Sequence, residues 1–113
     1  MTLDEFFSSV GSPARSAIDR LGGEERVRRY LLRFAEDPTY AALIAAAQRG
    51  DGAQAFRAAH TLKGLSATLG LERLSIAAAA LTEQTRGGGI PDPALLFEVS
   101  KAYTEAVEMI KKL

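Results

Sequence analysis

At 113 residues the chain is long enough to close one hydrophobic core and short for two, and at 47% hydrophobic and 25% charged it has the composition of a globular domain. Lys plus Arg and Asp plus Glu balance at 14 each, so no net field favours a nucleic-acid partner. Without cysteine neither a disulfide framework nor a thiolate zinc site is possible, and no apolar run approaches the ~18 residues that would span a membrane.

No segment alternates with period two and no Asn-Gly hairpin signal occurs, so the chain reads as helices throughout. Leu3, Phe6, Phe7 and Val10 have the spacing of a short amphipathic helix, which either packs across its neighbours or frays, because isolated helices this short are marginal. The same stretch lacks a basic region ahead of an apolar one, so a soluble, cytoplasmic protein or a domain excised from one is expected. After Gly11, Ser12 and Pro13 read as N-cap and first residue of a helix that reaches Leu21 and stops at Gly22-Gly23.

Glu24 and Glu25 favour the positive end of a helix over Glu24–Glu36, with Val27, Tyr30, Leu31 and Phe34 inward and Arg26, Arg28, Arg29 and Arg33 on solvated faces. Asp37-Pro38 repeats the cap-plus-proline device before a helix of about Thr39 to Arg49, which buries Tyr40, Leu43, Ile44 and Ala47 and ends at Gly50. Asp51 caps a long helix, Gly52–Leu69, closed by Gly70. Leu71–Arg86 follows, with Leu74, Ala77, Ala78 and Leu81 inward. Gly87-Gly88-Gly89 is a flexible connection, and Asp92-Pro93 starts a last helix to about Lys112, with Leu96, Val99, Tyr103, Ala106 and Ile110 along one seam. Short loops between long helices make neighbours antiparallel.

The long helix over 52–69 carries the only histidine, His60. At about 100° per residue, Ala55, Ala59, Leu62, Leu65, Ser66 and Leu69 share one side, and His60 points roughly 160° away from it. Around His60 stand Phe56 and Arg57 one turn before, Lys63 and Gly64 one turn after, and Ala53 and Ala67 beyond. A merely solvated face would carry Glu, Lys and Gln. Gly64 costs about 1 kcal/mol relative to Ala in a helix, which suggests that something large approaches the backbone there. Ser66 and Thr68 read as helix residues whose hydroxyls bond to backbone carbonyls.

The spelling His60, Leu62, Lys63, Gly64, then five residues, then Gly70, preceded by Ala59, resembles the histidine phosphotransfer (HPt) domain of two-component phosphorelays. The likeness covers the order of helices from about Ile18 to the C-terminus. It implies an all-α, antiparallel up-down four-helix bundle with additional short N-terminal helices. One domain over 1–113 is expected, with capping helices in 1–23 and the bundle in 24–113.

The resemblance further implies that His60 takes a phosphoryl group from a receiver-domain aspartate or a sensor histidine kinase and passes it to another receiver aspartate. Lys63, which by itself reads equally as a solvated charge, would help hold the phosphoryl group or the partner's site, and the ring nitrogen farther from the backbone would be used. No cofactor of its own is implied, and magnesium would sit on the receiver. Nucleic-acid and membrane partners are not expected. An imidazole, ordinarily titrating near pH ~6.5, supplies an unprotonated nucleophile at neutral pH, and in-line attack needs the clearance that Gly64 and Ala67 leave. Arg57 reads as a docking cation or a solvated one, and Phe56 as part of an apolar docking patch or as packing on a neighbouring helix.

Enzyme readings fare badly. A di-iron bundle needs Glu-x-x-His, but Arg57 stands three residues before His60. No nucleotide-binding glycine motif and no nucleophile elbow occurs, so the chain should not use ATP. Two other classes stay open, a module that binds receivers without transfer and a purely structural helical domain.

Overall fold

A computed structural model describes the backbone of residues 1–113 and every side chain except that of residue 14. Its elements are α1 (Leu3–Ser9), α2 (Ala14–Leu21), α3 (Glu24–Glu36), α4 (Thr39–Gln48), α5 (Gly52–Thr68), α6 (Glu72–Thr85) and α7 (Pro93–Ile110), and no strand occurs among the described residues. The all-helical reading holds.

α4, α5, α6 and α7 each pack on the next, and α5 with α6 makes the most extensive pair. The three-residue turns 49–51 and 69–71 reverse the chain on itself. Tyr40 of α4 closes the ring on α7: its ring stacks on Tyr103 at 3.9 Å between centroids, and its hydroxyl donates to Ser100 Oγ at 2.9 Å. Leu43, Ala46, Leu62, Leu74, Ala78, Leu81, Val99 and Ala106 fill the interior. α3 packs on α7 instead of sharing a bundle position with α4, and Phe34 meets the Tyr103 ring edge-on at 6.0 Å. The four-helix ring is therefore α4 to α7, with α3 set against α7. Asp37 and Pro38 turn the chain between α3 and α4.

The first helix packs and does not fray. Thr2 and Glu5 form a reciprocal capping box, both bonds 3.1 Å, and Leu3, Phe6, Phe7 and Val10 are all buried. Ser12 does not cap α2. Pro13, in extended conformation, occupies that position, and Ser12 Oγ accepts the Glu72 N–H at the start of α6 (3.1 Å). The N-terminal segment thus caps a helix sixty residues away in sequence. Gly70, at φ +74°, turns α5 into α6 directly beneath this segment; a Cβ there would lie 3.0 Å from Ala17 Cβ and 3.1 Å from Phe7 Cε1.

Helix ends differ from the sequence reading by a residue or two, since Arg49, Leu69, Leu71, Arg86 and Lys111 act as caps whose backbone groups bond on one side only. Tyr40, Ile44, Ala47, Ala77, Leu96 and Tyr103, expected inside, are half-buried, and Ala46 takes the inner place on α4. Asp51 and Asp92 cap α5 and α7 as read, accepting from Gln54 N–H (3.0 Å) and from Ala94 N–H (2.9 Å).

Candidate functional site

α5 is held on both flanks, by α4 and by α6. Ala55, Ala59, Leu62, Ser66 and Leu69 are buried, Leu65 is half-buried, and His60 on the opposite side is exposed. Ser66 Oγ donates to Leu62 O (2.7 Å) and Lys63 O (3.1 Å), which satisfies a buried hydroxyl without disturbing the packed face. Thr68 makes no such bond among the described residues; its carbonyl instead accepts from Arg20.

Gly64 is exposed, and a Cβ built on it would find nothing within 4 Å. The backbone beside His60 is bare to solvent. Gly64 also borders a cleft of about 570 Å³ between α3 and α5, walled by Tyr30, Phe34, Thr61 and Leu65 with Arg33 at its rim.

The two flanks of His60 differ. Arg57 is exposed and leans toward α4, where it shares a shallow depression with Arg49, Gln54 and Thr61. Lys63 is half-buried on the α6 side. Phe56, also on the α6 side, is half-buried and lies nearly parallel to the imidazole, 6.0 Å between centroids and 14° between planes. Phe56 thus lies against Arg86 at the end of α6 and borders the histidine.

Ala53 and Ala67 are exposed and mark the ends of this face. Near Ala67 the surface is partly occupied, because Arg20 of α2 reaches over the end of α5 and donates to Ala67 O (3.2 Å) and Thr68 O (2.8 Å). A guanidinium on those last carbonyls complements the negative end of the helix.

Two charged residues near Phe56 are not legible in the sequence as site residues. Arg86 caps the end of α6 and holds its guanidinium 5.3 Å from the Phe56 ring centroid. It is also clamped bidentately by Glu83, Nη2 to Oε1 at 2.7 Å and Nε to Oε2 at 3.2 Å. That hydrogen-bonded pairing, with a lesser pull from Lys63, holds the Glu83 carboxyl below the usual carboxylate range, and the same pairing raises Arg86. The Glu-x-x-Arg spacing shows the pair in the sequence, but its place beside Phe56 depends on how α6 lies against α5.

The arrangement presents one accessible nucleophile, an apolar ring next to it, and cations on either flank. Among the described residues no three His, Cys, Asp or Glu side chains gather as a metal site, and no helix is long and apolar enough to cross a membrane. The family model described as the Hpt domain matches residues 27–112, from the first turn of α3 to just past α7. No curated protein and no solved structure matches the chain.

Proposed function

The chain belongs to the Hpt domain family, and on that premise we propose that His60 is its phosphoacceptor. Domains of this family are phosphotransfer carriers that work with receiver domains and kinases of two-component systems. In the proposed reaction the imidazole nitrogen farther from the backbone attacks the phosphorus of a receiver's aspartyl phosphate. As the N–P bond forms, the P–O bond to the aspartate breaks and the carboxylate leaves. A second receiver's aspartate carboxylate later attacks the phosphohistidine, and the imidazole leaves in turn.

In this reading α5 holds the ring outward, so that donor and acceptor can align with the transferred group. Gly64 admits the receiver's surface close to the helix. Lys63 and Arg57 offset the charge of the phosphoryl group from either flank. Phe56 supplies apolar contact to the partner. Magnesium serves the receiver's carboxylates and is held by the receiver. The protein would work in the cytoplasm with a sensor kinase and one or more receivers, and would not use ATP.

One observation carries this reading: His60 is exposed on a rigid helix and the next turn leaves open space where a side chain would stand. Incubation with a radiolabelled phospho-receiver tests it. Wild type should take up acid-labile, alkali-stable label, and His60→Gln, still folded, should take up none. Label in the variant, or receiver binding by wild type with no label, would contradict it.

A further inference from the structure

The pairing of α5 with α6 sets an acid on the arginine that lies over Phe56, the ring bordering His60. Glu83 is an exposed carboxylate on α6, and it engages the one guanidinium packed on the ring beside His60. Both residues of the Glu83–Arg86 pair are exposed, so water can take over either half and the pairing is exchangeable.

A guanidinium fork fits two oxygens of a carboxylate or of a phosphoryl group equally well. A phosphoryl group carries nearly twice the charge of a carboxylate at neutral pH. Arg86 lies over Phe56, and that ring is 6.0 Å from the imidazole, so the guanidinium stands one ring away from the histidine.

Resting on the reading of His60 as phosphoacceptor, we infer that Glu83 is an internal stand-in for the phosphoryl group. It holds Arg86 while His60 is bare, and it gives the guanidinium up to the phosphoryl oxygens once His60 is modified. Glu83 and Arg86 are positioning residues, and neither forms nor breaks a bond. Their effect is on how long the phosphoryl group stays. In a loose, metaphosphate-like transition state the phosphoryl oxygens lose negative charge as the leaving nitrogen takes the electron pair. A cation on those oxygens therefore stabilises the phosphohistidine more than the transition state for its loss.

The test uses the whole chain and potassium phosphoramidate, so it needs no receiver. His60 attacks the phosphorus, the P–N bond of the reagent breaks, and ammonia leaves. Phosphohistidine decay at neutral pH is followed by ³¹P NMR, and the Arg86 Nε–Hε signal is compared before and after phosphorylation. Arg86→Gln should shorten the half-life and Glu83→Gln should lengthen it, each about two- to fivefold as for exposed charge pairs. Arg86→Lys should restore part of the loss, and the wild-type Arg86 signal should move on phosphorylation. Phosphohistidine at His60 with unchanged half-lives, or an unmoved Arg86 signal, would overturn the inference and leave the acceptor reading intact. Folded wild type that forms no phosphohistidine would overturn both.

Discussion

Gly64 carries a hydrogen where most residues carry a carbon, and nothing stands within 4 Å of the place that carbon would take. Its backbone is ordinary helix, so the glycine satisfies no conformational need of the fold. Gly64→Ala should therefore raise stability, by up to about 1 kcal/mol in urea denaturation, through helix propensity alone. Gly64→Glu should keep the far-ultraviolet spectrum and cooperative melting of wild type yet cut phosphoryl uptake at least tenfold (one decade is about 1.4 kcal/mol of barrier). A Glu variant that unfolds would make Gly64 a packing residue and remove its proposed role. The orientation of His60 was legible because a single helix's periodicity determines it. Arg20, Glu83 and Arg86 were not, since each reaches the α5 face from another helix and no local spacing encodes where that helix lies.

Two contacts between elements decide how α5 is held. Gly52, its first residue, is pressed against the connection from α6 to α7: a Cβ there would fall on the Gly88 carbonyl and within 2.6 Å of Gly89 O. The sequence showed the glycine run only as a flexible link, because the partner of a close backbone approach is invisible in one strand of sequence. Gly52→Ala must displace backbone and should cost about 1–3 kcal/mol in denaturant midpoint terms, the opposite sign to Gly64→Ala. An unchanged midpoint would mean that the connection yields freely. At the other end of α5, Phe7 is fully buried and touches the position of Gly70. Phe7→Ala should lower stability by about 3–5 kcal/mol, the range for emptying an aromatic site in a core. A loss below about 1 kcal/mol would show α1 to be an optional cover. The amphipathic spacing of Leu3, Phe6, Phe7 and Val10 signalled this helix, but whether it packed depended on a surface, formed by α2, α7 and the Gly70 turn, that only the fold supplies.

Across the molecule, α4 to α7 form a ring in which α5 turns one face to the core and the opposite face to solvent. The capping devices and the 3.6-residue period made this order of helices readable. The attachment of α3 to α7 rests on aromatic contacts among Phe34, Tyr40 and Tyr103, and sequence spacing does not specify such contacts. The proposed function asks little of the bundle beyond rigidity, since the second reactive group and its metal come with the partner. The proposed role of His60 therefore stands or falls on where the phosphoryl group resides. Mass spectrometry under neutral conditions, after transfer from a phosphorylated receiver, measures that directly. One phosphoryl group per chain, localised to the His60 imidazole, is the predicted result. A phosphoryl group on any other side chain, or an intact receiver-bound protein carrying none, would contradict it.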